Sequence, residues 1–246
     1  MDELTTEHDP AVWRKSIRDS RAKSSQWKEE GDSWRYKNFG LDSYLESFGS
    51  LVKKEELEAK QHAVGLDLMG QGQILRDLDI RGVGVTLVDP RNTTQVLDDR
   101  AHQRDIISGD VLARQTYKKI EKWLSDGGLS GFNLVFIRPL GGTEALPKNH
   151  PELYFTLLSR IWKMMDSEAM LLTEVPTFIP KDVVQHFIDQ CNTNGVQAKF
   201  VQEETRLTTS IRKAGENTLK VQERFRKNPI KLKLIKPNSA SKLPTL

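Results

Sequence analysis

The chain has 246 residues, 37% of them hydrophobic, and no apolar run approaches the roughly 18 residues that a bilayer-spanning helix needs. One cysteine and five histidines without ligand spacing exclude a disulfide framework and a Cys/His metal centre. The net charge of +3 conceals a split: from Arg206 onward there are 11 Lys and Arg against two acids, and the rest of the chain is mildly acidic.

Residues 1–60 read as a helical extension. Asp9-Pro10 marks a helix start, with the proline at an early helical position. Val12, Trp13 and Ile17 fall on one face behind it. Leu45, Phe48, Leu51 and Val52 recur at helical spacing and predict a second helix over 42–60. Trp27, Trp34, Tyr36 and Phe39 are scattered through the polar stretch between them. Aromatics so placed more often fill gaps than bind ligands, so the extension is expected to cap the main domain. The alternative is a lid or a substrate-recognition surface. The acidic, polar start MDELTTEHDP is unlike a secretion signal. With the lone Cys191, it points to the cytoplasm.

Residues 61–214 alternate between short apolar runs and helical patterns. Strands are predicted at 63–68, 83–88, 104–108, 132–137, 169–174, 196–202 and 206–213, and helices at 72–79, 92–101, 113–125, 151–165 and 181–193. This predicts an α/β fold, a doubly wound and mostly parallel seven-stranded sheet covered on both faces. The last two strands lie too close in sequence for a helix between them, so they are expected to form an antiparallel closing hairpin. Residues 215–246 form a basic tail. Within it Ile230, Leu232 and Leu234 alternate with Lys231 and Lys233, which is strand periodicity. The end, 238–246, is polar enough to be expected disordered. A basic tail of this kind suits phosphate, and RNA is its expected partner. The competing reading is a lysine-protected edge strand followed by a solvated terminus.

The most informative stretch runs from His62 to Asp89. The apolar run Ala63–Leu68 carries Asp67 near its end, and Met69-Gly70-Gln71-Gly72 follows. A short helical segment leads to a second apolar run ending at Asp89-Pro90. Open α/β sheets bind ligands at the carboxyl ends of their strands. An acid about 20 residues past such glycines is placed to accept ribose hydroxyls. The plainer alternatives are a tight turn at 70–72 and an Asp89 that merely caps the next helix.

Over roughly residues 60–214 these elements resemble the class I, Rossmann-like S-adenosylmethionine-dependent methyltransferase family. The resemblance implies S-adenosylmethionine as cofactor. Its methionine end would lie near Asp67, Met69, Gly70, Gln71 and Gly72, its ribose at Asp89 and Pro90, and its adenine near Asp110 and Val111. The acceptor would enter past Arg138, which is suited to clamp a phosphate or carboxylate unless it is only a surface arginine. The chain departs from the family pattern in three places. Met69 stands where the first glycine would be. Asn133 replaces the aspartate that usually opens the fourth strand. Asp166-Ser167-Glu168 replaces a Pro-Gly-Gly turn. Arg138-Pro139-Leu140-Gly141-Gly142 also lacks the Asn/Asp-Pro-Pro-aromatic motif of enzymes that methylate base amino groups. Gln197–Lys213 resembles the closing hairpin.

No general base stands out; Tyr154, His150 and His186 have no supporting pattern. Methyl transfer from a sulfonium depends mostly on positioning and desolvation, so few catalytic side chains are needed. The resemblance implies methyl transfer, with RNA or an RNA-associated protein as acceptor. The alternative is an inactive methyltransferase-like module that binds RNA or a protein partner. A nicotinamide oxidoreductase is disfavoured. Leu75 fills its third small position, and Asp67 would repel a pyrophosphate. No metal is expected.

Overall fold

The computed structural model describes residues 40–60, 62–86, 89, 91–137, 151–202, 204–211, 220–227, 229–238 and 242–244. The helix expected from Asp9-Pro10 and the aromatics before Gly40 lie outside them, as do Pro90, His150 and the segment from Arg138 to Gly142.

The chain first forms helix α1 (Leu41–Phe48), a 3-10 turn (Gly49–Leu51) and a short α2 (Lys54–Glu58). The single helix predicted over 42–60 is broken because Gly49 leaves helical backbone with φ 50° and Val52 turns extended to reach the core. Alternation follows through β1 (Val64–Leu68), α3 (Gln73–Asp77), β2 (Arg81–Thr86), α4 (Thr93–Ala101), β3 (Arg104–Ser108) and α5 (Arg114–Asp126). It continues with β4 (Phe132–Ile137), α6 (Glu152–Trp162), β5 (Met165–Val175), α7 (Lys181–Thr193) and β6 (Gln197–Val201). The chain ends with β7 (Glu204–Ile211), β8 (Lys220–Lys227) and β9 (Ile230–Ile235).

Seven strands form one sheet in the order β3-β2-β1-β4-β5-β9-β6. Strands β1 to β5 run parallel, and β9 runs antiparallel to both neighbours. Period-2 alternation sends side chains to two cores. Val135, Ile137, Leu171 and Val175 face one cluster with α5, α6 and α7. Leu134, Phe136, Met170 and Leu172 face the other with α1, α2 and α3. The chain before β1 therefore supplies much of the cover for one sheet face. Tyr44 donates its hydroxyl to the Leu172 carbonyl (3.0 Å) and meets Phe136 edge-on at 5.7 Å.

The antiparallel closing pair is present, but its second strand is β9 rather than 206–213. Strand β7 pairs with β8 in a separate two-stranded ladder. The apolar pattern explains the exchange. β9 reads Ile-Lys-Leu-Lys-Leu-Ile, so one face presents Ile230, Leu232 and Leu234, all buried in the large core. β7 reads Glu-Thr-Arg-Leu-Thr-Thr-Ser-Ile and has no comparable apolar face. The lysine-protected edge is thereby corrected too, because β9 lies inside the sheet.

The lysines of β9, and Lys236 just after it, find internal partners. Lys231 is 7% exposed, stands opposite Glu174 in the β5–β9 register and forms an ion pair with it. Burial pushes the Lys231 pKa down to about 8. Lys233 donates to Glu56 (2.6 Å) and to the Leu51 carbonyl (3.3 Å), which ties the sheet to the segment before β1. Lys236 donates to the carbonyls of Trp162 and Met165.

Asn133 also has a structural reason. Its side-chain Oδ1 accepts from Val64 N (2.9 Å), and its side-chain Nδ2 donates to Asp166 Oδ2 (3.3 Å). An aspartate there would set two carboxylates against each other.

Candidate functional site

Sheet order reverses between β1 and β4, since the chain runs outward through β2 and β3 before returning to β4 on the other side of β1. Crossovers leaving such a point diverge and open a crevice at the carboxyl edge. Asp67 lies near the end of β1, while Asp89 and Asp110 follow the ends of β2 and β3 on that edge.

Asp67 is fully buried, in register with Gly84 of β2 and Phe136 of β4. Its carboxylate lies directly against Gly70, where a Cβ would fall inside it. The loop then turns through three left-handed residues, Met69 (φ 68°), Gln71 (φ 60°) and Gly72 (φ 71°). Met69 N donates to the Val85 carbonyl (2.7 Å) and extends the β1–β2 ladder. Met69 thus adopts a left-handed backbone that glycine takes more easily, and its side chain packs on the large core. That contact offsets a conformational cost of about 1–2 kcal/mol. Met69→Val, β-branched at positive φ, is expected to cost about 2 kcal/mol in a urea melt, and Met69→Gly under about 1 kcal/mol.

Two further glycines seat this loop. A Cβ on Gly84 would come within 2.6 Å of Gly72 N and 3.0 Å of the Gln71 carbonyl carbon, so the loop lies directly on β2. A Cβ on Gly65 would strike the side chain of Leu75. Close helix-to-strand packing here comes from a glycine in the strand, not from a small residue in the helix. Arg76 of α3 fixes the loop from outside by donating to the Gln71 carbonyl (3.1 Å).

Asp89 is not the helix cap. Asn92 takes that role and accepts from Gln95 N at 2.9 Å. The Asp89 carboxylate is held by Arg91: Oδ1 accepts from the Arg91 backbone N (3.1 Å) and Nε (3.0 Å), and Oδ2 from Nη2 (2.8 Å). Partial burial raises the pKa of Asp89, but the side-chain and backbone hydrogen bonds from Arg91 outweigh it and leave the value below the ordinary carboxylate range. A carboxylate offers about four acceptor positions, so a ligand diol would share or displace part of this clamp.

Asp110 is partly committed to a turn. Its Oδ1 accepts from Leu112 N (2.8 Å), and its carbonyl accepts from the Thr116 hydroxyl (2.5 Å). Val111 is buried in the large core, and its carbonyl accepts from Tyr117 (2.7 Å). Pro90 and Arg138 lie outside the described residues. Tyr154 is fully buried with its hydroxyl on Thr173 Oγ1 (2.8 Å), and burial pushes its pKa up, so it is no general base. His186 lies exposed on α7 against Gln190 (2.9 Å). Glu174 is spent on Lys231. Among the described residues no group of acids, histidines or cysteines could hold a metal, and no helix is long and apolar enough to cross a membrane.

Sequence reasoning missed Arg76, Gly84 and Arg91. Arg91 had a signal, since it follows Asp89 by two residues. Gly84 sits in Arg81-Gly-Val-Gly-Val, where two glycines in a buried strand suggest close backbone approach.

No protein-family model matches the chain, and no curated protein matches it. Solved structures with a similar chain path include a Burkholderia thailandensis 1,6-didemethyltoxoflavin-N1-methyltransferase with bound S-adenosylhomocysteine. It is 12% identical, with 94% of this chain and 91% of that chain covered and a TM-score of 0.47. A Geobacter metallireducens precorrin-6y C5,15-methyltransferase is 13% identical, with 77% and 91% covered and a TM-score of 0.38. The tRNA (m1A58) methyltransferase TrmI of Aquifex aeolicus is 11% identical, with 75% and 66% covered and a TM-score of 0.35. The sheet order, five parallel strands with one antiparallel strand inserted beside them, is that of a doubly wound α/β fold. At these identities the likenesses describe chain path and nothing of chemistry.

Proposed function

We propose that the chain binds S-adenosylmethionine at the carboxyl edge of β1, β2 and β3 and transfers its methyl group to an acceptor above β4. The observation that carries this reading is the convergence of the Asp67–Gly72 loop, Asp89 and Asp110 at three neighbouring strand ends, beside the reversal between β1 and β4. The left-handed loop brings backbone close to a ligand. The buried Asp67 carboxylate behind it favours an ammonium over a pyrophosphate. Helix α3, with five residues, supplies little dipole for a phosphate. Asp89, fixed by Arg91 and ionised, is left to accept a ribose hydroxyl. When bound, the cofactor supplies an electrophilic methyl group that leaves a neutral thioether behind. The chain's residues then need only to bind, orient and exclude water. A calorimetric titration distinguishes the ligands. S-adenosylhomocysteine is expected to bind in the micromolar range, about −8 kcal/mol, and NAD not to bind. The opposite preference would contradict the reading.

For the acceptor we propose RNA. Lys231, Lys233 and Lys236 are used inside the fold, but Arg206, Lys220, Arg224, Arg226 and Lys227 sit in the β7–β8 ladder. That ladder leaves the sheet between the end of β6 and the start of β9, which is the carboxyl edge. Arg224→Ala and Arg226→Ala are each expected to reduce the slope of log affinity against log salt by about 0.7 for single-stranded RNA. Unchanged slopes would remove RNA from the proposal.

A further inference from the structure

Asp99 of α4 is 1% exposed and lies among three arginines. Arg76 Nη1 donates to it at 3.1 Å, and Arg91 Nη1 and Arg104 Nε stand 3.5 Å and 3.4 Å from its oxygens. Arg104 has other partners in Asp79 (3.1 Å) and Asp98 (3.7 Å). Arg76 also meets the Gln73 side chain (3.2 Å) and Arg91 also meets Asp105 (3.5 Å), but each in addition holds one arm of the cofactor site. Arg76 holds the Gln71 carbonyl in the β1–α3 loop, and Arg91 holds the Asp89 carboxylate beyond β2. Among the described residues, Asp99 is the carboxylate that both of these arginines share.

We infer that Asp99 is a positioning residue that ties the two arms of the cofactor site to one buried charge, so that loop 69–72 and Asp89 are set together before ligand arrives. The inference rests on the cofactor reading. Guanidinium forks deliver two directed contacts at once and hold a planar geometry. Here each guanidinium turns Nη1 toward Asp99 and other nitrogens of the same rigid plane toward its arm of the site, so the shared carboxylate links the placement of the two. Desolvation strengthens this, because a buried ion pair is little screened. Functional side chains held by a supporting shell of this kind bind more tightly because less ordering remains to be done on association.

The test uses the full chain and two ligands. S-adenosylhomocysteine reaches both arms. Methylthioadenosine lacks the amino-acid end and reports the nucleoside arm alone. Arg76→Met is expected to weaken S-adenosylhomocysteine about tenfold and, because the tie to Asp89 is cut with it, methylthioadenosine by a smaller factor. Arg91→Met should weaken both ligands, S-adenosylhomocysteine more, and the Arg76→Met/Arg91→Met double variant should lose less than the sum of the two single losses. Asp99→Asn should weaken both, S-adenosylhomocysteine more, and should add little in the Arg76→Met/Arg91→Met background. A purely structural role would not produce this ligand-dependent split. Amide exchange without ligand gives a second readout: Asp99→Asn should speed exchange at 69–72 and at 91 together, while β4 and β5 stay protected. If wild type binds and a folded Asp99→Asn binds equally, the inference is overturned and the cofactor reading stands. If wild type binds neither ligand, the cofactor reading fails, and exchange then decides the tie: joint acceleration supports it and unchanged exchange overturns it. If Asp99→Asn does not fold, the two arginine variants decide. Independent losses that simply add overturn the shared anchor, and non-additive losses support it.

Discussion

Gly84→Ala is expected to destabilise the protein by about 3 kcal/mol and to abolish binding of S-adenosylhomocysteine. The added Cβ would meet Gly72 N at 2.6 Å, the Gln71 carbonyl carbon at 3.0 Å and the Ile106 side chain at 2.5 Å. A side chain such as Ile106 can turn away. Loop backbone cannot, since Met69 N is bonded to the Val85 carbonyl and the Gln71 carbonyl to Arg76. One methyl group therefore lifts the whole 69–72 turn off β2 and away from Asp67. Gly128→Ala is the control. Gly128 has φ 61° with nothing within 4 Å of an added Cβ, so alanine there costs about 1 kcal/mol of backbone strain and leaves binding intact. Urea melts and calorimetry on both variants separate the effects. A Gly84→Ala protein that binds like wild type would mean that the loop does not rest on β2.

Glu174→Leu is expected to cost about 3–5 kcal/mol, because it leaves the buried ammonium of Lys231 without its partner. Lys231 is enclosed between β5 and β6, over the ring of Phe48 at 5.6 Å. The double variant Glu174→Leu/Lys231→Met should recover most of that loss, since a buried ion pair replaced by apolar groups of similar volume is often neutral or stabilising. Denaturant midpoints of the two variants provide the comparison. Equal losses in the single and double variants would show that Lys231 is not buried and that β9 does not lie inside the sheet.

The first five strands were legible because each is a short apolar run bounded by turn residues and followed by a helical pattern. The acids at 67, 89 and 110 were legible because strand ends fix where they fall. The partner of β6 was not. Nearness in sequence suggested 206–213, whereas pairing is decided by which segment offers a continuous apolar face, and that segment begins at Ile230. The alternation of Ile230, Leu232 and Leu234 was visible, but its lysines suggested an edge. Only the tertiary placement of Glu174 and Glu56 makes an interior position affordable for Lys231 and Lys233. Asp99 shows a different limit. Nothing local marks it among the other acids of α4, and its role comes from arginines 8 and 23 residues away. Met69 is the converse case, where a residue that breaks the glycine pattern still adopts a left-handed backbone.

The most direct measurement is a calorimetric titration of S-adenosylhomocysteine into wild type and into Asp89→Ala. Asp89 is partly exposed and lies outside both cores, so its removal should leave the fold intact. The account predicts micromolar binding to wild type and a loss of about a hundredfold, or about 2.7 kcal/mol, in the variant with an unchanged melting curve. Wild-type binding that survives the substitution undiminished would contradict the placement of the ribose at Asp89, and no wild-type binding would contradict the cofactor site itself.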